Sequence, residues 1–434
     1  MKTCSTKLWN STKTCIALLF FSLLTNTVVK AQNDNNQLVY DNITYDKTVQ
    51  TVLLSKYGVD DRYPIMTLNS SEMLQLSFDI IAKRPEHFQY TLVHCDAGWN
   101  PSPLRQNEYL NGMTFDEIRD VQFSNSTFVK YIHYSLLLPN ENMKPSIAGN
   151  YLLKVYRNFD EDQLVLTRRM MVLNPSIAID GSAKMAQTAQ NRYTKQEINF
   201  SVNYKGYTMP NPLGDVTAVV MQNARWDNAI SNVKPLFVND NVIDYNFTDK
   251  FLFNGSNEFR YVDFRNLRGV SLNVRTKTFD SLYHVIMNID ESRGSKQYFQ
   301  YLDNNGRRII QNKDNSSNGE LDGDYTMTNF YLSSLDPVPQ EVYVFGEFTD
   351  WKLKPEFKMD YNSNRGRYDL EVLLKQGRYE YFYVTKDEEG KPSEFTFEGS
   401  SSQAENEYLI LIYHKNVKYK YDELIGARKF TTTM

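Results

Sequence analysis

The sequence has little cysteine, little histidine and no long hydrophobic run after its first 31 residues. Of its three cysteines, only Cys95 lies beyond that point. A single cysteine cannot form an internal disulfide, so any domains must be held together by ordinary hydrophobic cores. No later stretch approaches the ~20 consecutive apolar residues that a membrane-spanning helix needs.

Motifs of the common enzyme classes are also missing. The five histidines are scattered, and no two of them have the spacing of helical metal ligands. The chain has no Gly-Lys-Ser/Thr phosphate loop and no Gly-x-Ser-x-Gly nucleophile elbow. The acid-rich residues 314–324 lack the spacing of an EF-hand loop and are interpreted as a solvated linker. The sequence therefore predicts a non-enzymatic protein that uses no metal and no cofactor.

The first 31 residues have the pattern of a secretory signal peptide. Three lysines precede an apolar run at residues 16–24, and a cleavage site follows at Ala31. The apolar run is too short to span a bilayer. Removing this segment leaves 44 basic and 52 acidic residues, a net charge of −8. An acidic exported protein is a poor candidate for binding nucleic acid or anionic lipid.

Aromatic residues in short alternating runs are abundant. The chain contains 30 Tyr and 25 Phe, and such side chains fit the half-buried surface of a β-strand. Residues 74–80 (Leu-Gln-Leu-Ser-Phe-Asp-Ile) alternate between apolar and polar with the period of a strand. Turn-forming Asn, Asp, Gly and Pro separate such runs. This pattern predicts an all-β chain of tandem immunoglobulin-like β-sandwich domains.

Breaks in the pattern suggest domain boundaries. The proposed division is a signal peptide at residues 1–31, an N-terminal β-sandwich at 38–175, a middle β-sandwich at 176–305, a linker at 306–324 and a C-terminal β-sandwich at 325–434. Pro175 marks the end of the first domain because proline interrupts strand pairing.

The C-terminal part resembles glycogen-binding, early-set β-sandwich modules. The resemblance is carried by residues 344–351 (Val-Phe-Gly-Glu-Phe-Thr-Asp-Trp) and 377–384 (Gly-Arg-Tyr-Glu-Tyr-Phe-Tyr-Val). It implies that Trp351 stands where such modules stack a sugar ring. The second stacking tryptophan of those modules is missing here, and Phe382 replaces their hydroxyl-binding lysine. An exported glycan-binding β-sandwich protein is therefore the alternative function.

Ordered motifs along most of the chain look like the plug-protein family of the type IX secretion system, long known only as a domain of unknown function in Bacteroidetes-type exported proteins. They begin at residues 90–102 (Tyr-Thr-Leu-Val-His-Cys-Asp-Ala-Gly-Trp-Asn-Pro-Ser) and end at residues 421–426 (Tyr-Asp-Glu-Leu-Ile-Gly). The signature positions, which serve either the fold or an interface, are Asp96, Trp99, Tyr109, Tyr134, Asn140, Asn150, Tyr151, Arg168 and Arg169.

The second resemblance implies a mechanical role. Proteins of this family sit at the periplasmic mouth of a giant outer-membrane β-barrel that exports folded cargo, and they block its channel when no cargo is moving. We therefore expect a protein at the periplasmic face of the outer membrane, held there by its barrel partner. We expect no membrane span of its own, no nucleic-acid partner and no small-molecule ligand.

Overall fold

A computed structural model describes residues 37–315, 317–418 and 420–432. The predicted signal peptide, residues 1–31, lies outside the described residues. The described chain is nearly all β-strand and forms several sheets packed face to face, which confirms the predicted all-β sandwich fold.

The first sandwich is formed by residues 43–173. Its strands and its one short helix are β1 (Ile43–Thr44), β2 (Val49–Lys56), β3 (Ile65–Thr67), β4 (Leu74–Ile80), β5 (Phe88–Cys95), α1 (Gln106–Tyr109), β6 (Leu110–Gly112), β7 (Asp116–Glu117), β8 (Asp120–Phe123), β9 (Ile132–Leu138), β10 (Met143–Pro145), β11 (Gly149–Arg157) and β12 (Asp160–Leu173). One sheet has the order β1-β12-β11-β5-β7, and the facing sheet has the order β2-β4-β9-β8.

Alternation along β4 places Leu74, Leu76 and Phe78 in the core between these sheets, each at most 1% exposed. The opposite face of β4 is also buried, since Asp79 is 1% exposed and contacts another sandwich. The sequence of β4 alternates as if one face were exposed to solvent, but in the structure both faces are covered by protein.

The middle sandwich begins with six strands. They are β13 (Ala178–Met185), β14 (Lys195–Asn203), β15 (Val216–Gln222), β16 (Phe237–Asn239), β17 (Val242–Asp244) and β18 (Leu252–Asn254). Five of them form the sheet β13-β14-β17-β16, with β18 beside β14. The facing sheet consists of β15 and two strands from the end of the chain.

The third sandwich is formed by ten strands between residues 260 and 393, with two short 3-10 turns at Glu347–Thr349 and Pro355–Phe357. The strands are β19 (Arg260–Asp263), β20 (Val274–Phe279), β21 (Tyr283–Glu291), β22 (Arg308–Ile310), β23 (Tyr325–Ser333), β24 (Val342–Phe345), β25 (Asp360–Asn362), β26 (Arg367–Lys375), β27 (Gly377–Lys386) and β28 (Pro392–Ser393). One sheet has the order β20-β21-β23-β26-β25, and β27 pairs with β19, β22, β24 and β28 to form the other.

The last two strands return to the middle sandwich. β29 (Glu407–Asn416) pairs with β15 and with β30 (Tyr421–Thr431). Ile410 and Ile412 of β29 are buried in the same core as Ile198 and Phe200 of β14. The middle sandwich is therefore assembled from two parts of the chain that are separated by the whole third sandwich.

Strand pairing does not follow the predicted domain boundaries. Residues 407–431 belong with the middle sandwich and not with the predicted C-terminal domain, and residues 260–291 belong with the third sandwich. The predicted linker at 306–324 includes β22, and the Tyr131 hydroxyl donates to its Glu320 and Gly323 carbonyls. The alternating pattern locates strands, but it carries no information about which distant strand each one pairs with.

We predict that Ile410→Ala destabilises the middle sandwich by about 2–5 kcal/mol, because it leaves a cavity in a closed core. Hydrogen exchange should speed up in β13–β15 more than in β1–β12. The matched control is Val417→Ala, at a position that is 67% exposed. Equal acceleration in the two sandwiches would contradict the assignment of β29 to the middle core.

Candidate functional site at the joints between the sandwiches

A tight turn follows β5 and carries two of the signature residues. Asp96 Oδ1 accepts the backbone amides of Gly98 (2.9 Å) and Asn100 (2.8 Å). A short acidic side chain stabilises a turn in this way. The turn holds Trp99 at a φ of +65°, which residues with a side chain seldom adopt, and turns its ring inward to 5% exposure.

Arg169 of β12 packs against two indole rings that also contact each other edge to face. Its Cζ is 4.5 Å from the ring centroid of Trp99 and 5.1 Å from that of Trp226. The guanidinium also donates to the carbonyl oxygen of Tyr40, from Nη2 at 2.7 Å and from Nε at 3.1 Å. A planar guanidinium can stack and donate at the same time. Because Trp226 follows β15, this stack joins the first sandwich to the middle one.

Asn150 of β11 extends the same joint. Its Nδ2 donates to the carbonyl oxygen of Asp96 (2.9 Å), and its Oδ1 accepts the hydroxyl of Tyr413 in β29 (2.9 Å). Asp422 Oδ2 accepts the amide of Ala97 (2.9 Å). The motif near the end of the chain therefore meets the motifs of the first sandwich directly.

Arg168 contacts the third sandwich. Its Nη2 lies 3.5 Å from Asp350 Oδ1, and its Nη1 donates to the Ile43 carbonyl (3.0 Å). Burial acts to raise the pKa of Asp350, but Arg168 and Lys354 lower it to about 2, so the carboxylate stays ionised. Successive side chains of a strand point to opposite faces. Arg168 and Arg169 thus connect one strand to two different neighbours.

Two further signature residues serve the interior of the first sandwich. The rings of Tyr109 and Tyr151 lie 5.7 and 5.0 Å from that of His94. The Tyr151 hydroxyl donates to the Ile147 carbonyl (2.8 Å). Burial lowers the pKa of His94 to about 4, so its imidazole is neutral in this packed cluster.

Tyr134 and Asn140 stabilise loops of the same sandwich. The Tyr134 ring stacks on Phe78 at 5.0 Å, and its hydroxyl accepts the amide of Glu86 (2.8 Å). Asn140 Nδ2 donates to the hydroxyl of Tyr90 (2.8 Å). Of the nine signature residues, five lie at the joints between sandwiches, and the other four stabilise the interior and loops of the first sandwich.

A buried charge network lies at the joint between the first and third sandwiches (the first–third joint), and the sequence did not predict it. Asp79 of β4 and Lys375 of β26 are each 1% exposed, and Lys375 Nζ lies 2.6 Å from Asp79 Oδ2. The Tyr325 hydroxyl donates to the same oxygen (2.7 Å), and His133 Nδ1 lies 2.7 Å from Asp79 Oδ1. Burial lowers the pKa of Lys375, while Asp79 acts to raise it. In the sequence, Asp79 occupies an ordinary outward position of a half-buried strand.

A cavity of about 580 Å³ lies where the three sandwiches meet. Its lining includes Arg168, Arg308, Glu347, Asp350 and Lys375. Apolar side chains, including Met171 and Met221, complete the lining.

Trp351, the predicted sugar-stacking residue, is 8% exposed. Its ring packs against Phe345 (5.4 Å between centroids) and Phe259 (5.9 Å), and the guanidinium of Arg225 lies 5.2 Å from its centroid. Gly306, at a φ of +80°, approaches so closely that a Cβ there would lie 2.5 Å from Trp351 Cη2. Stacking on a sugar requires an open ring face, and this ring is enclosed by protein.

The part of the chain that the structure describes contains neither a metal-binding cluster nor a membrane-spanning helix. No group of three or more His, Cys, Asp or Glu side chains there is arranged to hold a metal ion. No helix within those residues is long and apolar enough to cross a membrane.

We predict that Asp79→Asn and Lys375→Met each destabilise the protein by about 3–5 kcal/mol, because each leaves a buried charge without its partner. The double variant should be no less stable than either single variant, since it buries neither charge. Urea unfolding of all four proteins measures the coupling. Removal of the exposed pair Glu389 and Lys391 is the control, and additive losses at Asp79 and Lys375 would contradict the prediction.

We further predict that Trp351→Ala lowers the free energy of unfolding by about 3–5 kcal/mol, as expected for a buried indole. Affinity electrophoresis through glycogen-type polymers should show no retardation of either protein. Retardation of the unaltered protein that disappears in a stably folded Trp351→Ala variant would instead identify a sugar-binding ring.

A protein family and a solved structure are similar to this chain. Residues 49–174 match the family model described as the type 9 secretion system plug protein 1st domain. The crystal structure of a hypothetical protein from Parabacteroides merdae is 29% identical and has a TM-score of 0.87, and the match covers 91% of this chain and all of that one. No curated protein matches the chain. Residues 49–174, which include all nine signature positions, are therefore similar to the first domain of type IX secretion plug proteins.

Proposed function

We propose that this protein is the periplasmic plug of a type IX secretion translocon, binding the mouth of the outer-membrane barrel and blocking its channel when no cargo is moving. The observation that carries the proposal is the match of residues 49–174 to the first plug domain. The family is a component of secretion machinery, which favours association with a translocon partner and a place in the cell envelope. It also favours a structural role over a catalytic one.

The joints support a mechanical role. Domains within a chain move relative to one another by default unless their interface is large and well packed. Here the first sandwich is tied to the middle one by the Arg169 stack and to the third one by the Asp79–Lys375 pair. A body that closes a wide channel has to resist internal motion, and these buried contacts provide that resistance.

The signature residues hold the protein together, so the barrel contact is expected elsewhere. Trp99, Tyr109 and Tyr151 are each at most 5% exposed, and Arg168 is 4% exposed. A side chain that is buried within its own protein cannot also make a contact with a partner. Variants at these positions should therefore weaken the blocking of the channel because the protein becomes less stiff, and not because a direct contact with the barrel is lost.

The proposal predicts that tagged protein, purified from detergent-solubilised membranes of its own host, brings with it a very large outer-membrane barrel in near-equal amount. Deletion should let a large, normally excluded antibiotic enter the periplasm. The unaltered chain and the surface control Lys391→Met should restore exclusion, whereas Arg169→Ala should restore it only partly because the first–middle joint loosens. Recovery of the protein alone in the soluble periplasmic fraction would contradict the proposal.

A further inference from the structure

Strands β11 and β12 form a long hairpin whose turn carries an exposed aromatic ring. The two strands are joined by only two residues, Asn158 and Phe159, and Arg157 pairs with Asp160 across the turn. Both turn residues have positive φ, +58° at Asn158 and +56° at Phe159. Two-residue turns of this kind strongly favour Asn-Gly, because glycine adopts the left-handed region without steric cost. Asparagine occupies the first position as expected, but phenylalanine stands where glycine is favoured.

Phenylalanine strains the backbone of this turn without the benefit of burial. Among the described residues, three aromatic residues have positive φ: Trp99, Phe159 and Trp351. Trp99 and Trp351 are 5% and 8% exposed, so the burial of their large rings offsets the strain. Phe159 is 65% exposed. A strained backbone that holds a ring in solvent indicates a function outside the folded chain.

Hydrogen bonds hold the turn in one conformation. The Phe159 amide donates to Oε1 of Gln89 (2.9 Å), whose side chain is buried. On the other side of the turn, Asp160 accepts the amide of Asp162 (3.1 Å) and Nε2 of Gln163 (3.0 Å). A turn that is already ordered loses little conformational entropy when it binds a partner. The ring is therefore presented in a fixed position.

A second exposed ring lies beside the first. Phe115, in the loop between β6 and β7, is 47% exposed, and its ring centroid lies 6.3 Å from that of Phe159. We call Phe115 and Phe159 the aromatic pair. Met113 of the same loop is also exposed, at 52%. Large apolar side chains that are exposed together, rather than singly, indicate a contact surface.

The charges around the aromatic pair are mostly negative. The three residues that follow Phe159 are all acidic: Asp160, Glu161 and Asp162. The cations near the pair are already engaged by acids: Lys154 by Glu161, Arg157 by Asp46 and Arg119 by Asp116. Complementary charge guides association and opposes wrong partners. These charges therefore favour a partner recess that is apolar inside and lined at its edge by arginine or lysine.

We propose that the aromatic pair inserts into such a recess on the periplasmic side of the outer-membrane barrel, with Phe159 as the anchor of the contact. This inference rests on the proposed function, which supplies the barrel as the partner. The signature residues are buried and cannot make the contact. Two of them, Arg168 and Arg169, fix β12 to the neighbouring sandwiches. The strand that follows the turn is thus anchored to the whole body, so that a force on the ring is borne by all three sandwiches.

The variant Phe159→Gly separates this contact from the stability of the fold, because glycine relieves the strained turn. Its urea midpoint should be at least as high as that of the unaltered protein. The amount of barrel that co-purifies with it should nevertheless fall by about tenfold or more, the loss expected of a central interface residue. Phe159→Tyr keeps the ring and should retain the barrel. Phe237→Ala, at a 51% exposed position of β16, is the control and should also retain it.

The outcomes separate this inference from the proposed function. Undiminished recovery of the barrel with Phe159→Gly overturns the inference and leaves the proposed function standing. A lower urea midpoint in Phe159→Gly also overturns it, since the ring would then serve the fold. If the unaltered protein recovers no barrel, both the proposed function and the inference are overturned.

Site-specific photocrosslinking in host membranes identifies what the ring touches. The photoreactive residue p-benzoylphenylalanine replaces Phe159 in one protein and Phe237 in the other. Illumination should link position 159, and not position 237, to the barrel, at a segment that carries arginine or lysine beside apolar residues. Added salt should lower the yield at position 159, because it screens the complementary charges. A crosslink from position 159 to a different protein, or equal yields at the two positions, would overturn the inference.

Discussion

Asp79 and Lys375 form an ion pair that is almost wholly removed from water at the point where the first and third sandwiches meet. Desolvation of two charges is costly, and the mutual attraction offsets it only when their remaining hydrogen-bonding capacity is satisfied. Here Tyr325 and His133 bond to the carboxylate, and Lys375 donates to the Glu320 carbonyl (2.7 Å). A slipped or rotated joint would leave a buried charge unpaired, so the pair selects one arrangement of the two sandwiches.

Charged side chains of β12 likewise fix the positions of its neighbouring sandwiches. Alternation of side chains sends Arg168 to the third sandwich and Arg169 to the middle one, so a single strand fixes both neighbours. Because the middle sandwich takes β29 and β30 from the end of the chain, the third sandwich is inserted between its two halves. Chain connectivity and buried charges therefore oppose relative motion together, which suits the proposed role of blocking a channel.

Local patterns in the sequence were sufficient to predict the fold class but not the contacts at the joints between sandwiches. The alternation at residues 74–80 correctly predicted β4. The pairing of β29 with β15 could not be predicted, because both strands read simply as apolar and their partners lie about two hundred residues apart. The buried role of Asp79 was equally hidden, since an acid at an outward strand position is ordinarily solvated. Trp351 had the sequence context of a sugar platform, but Gly306 and Phe259 cover its ring.

Two joints of this protein bury carboxylates in different ways. At the first–third joint, Lys375 pairs with Asp79, and Tyr325 and His133 bond to the same carboxylate. At the middle–third joint, Glu258 is fully buried just before β19, and its carboxylate accepts the Tyr298 hydroxyl and the Glu405 amide, with no ion pair among the described residues. A carboxylate paired with a lysine requires its partner charge at a fixed place, whereas a carboxylate held by uncharged donors depends on hydrogen bonds alone. The first–third joint therefore depends on a pair of charges, and the middle–third joint on uncharged hydrogen bonds together with the return of β29 and β30 to the middle sandwich.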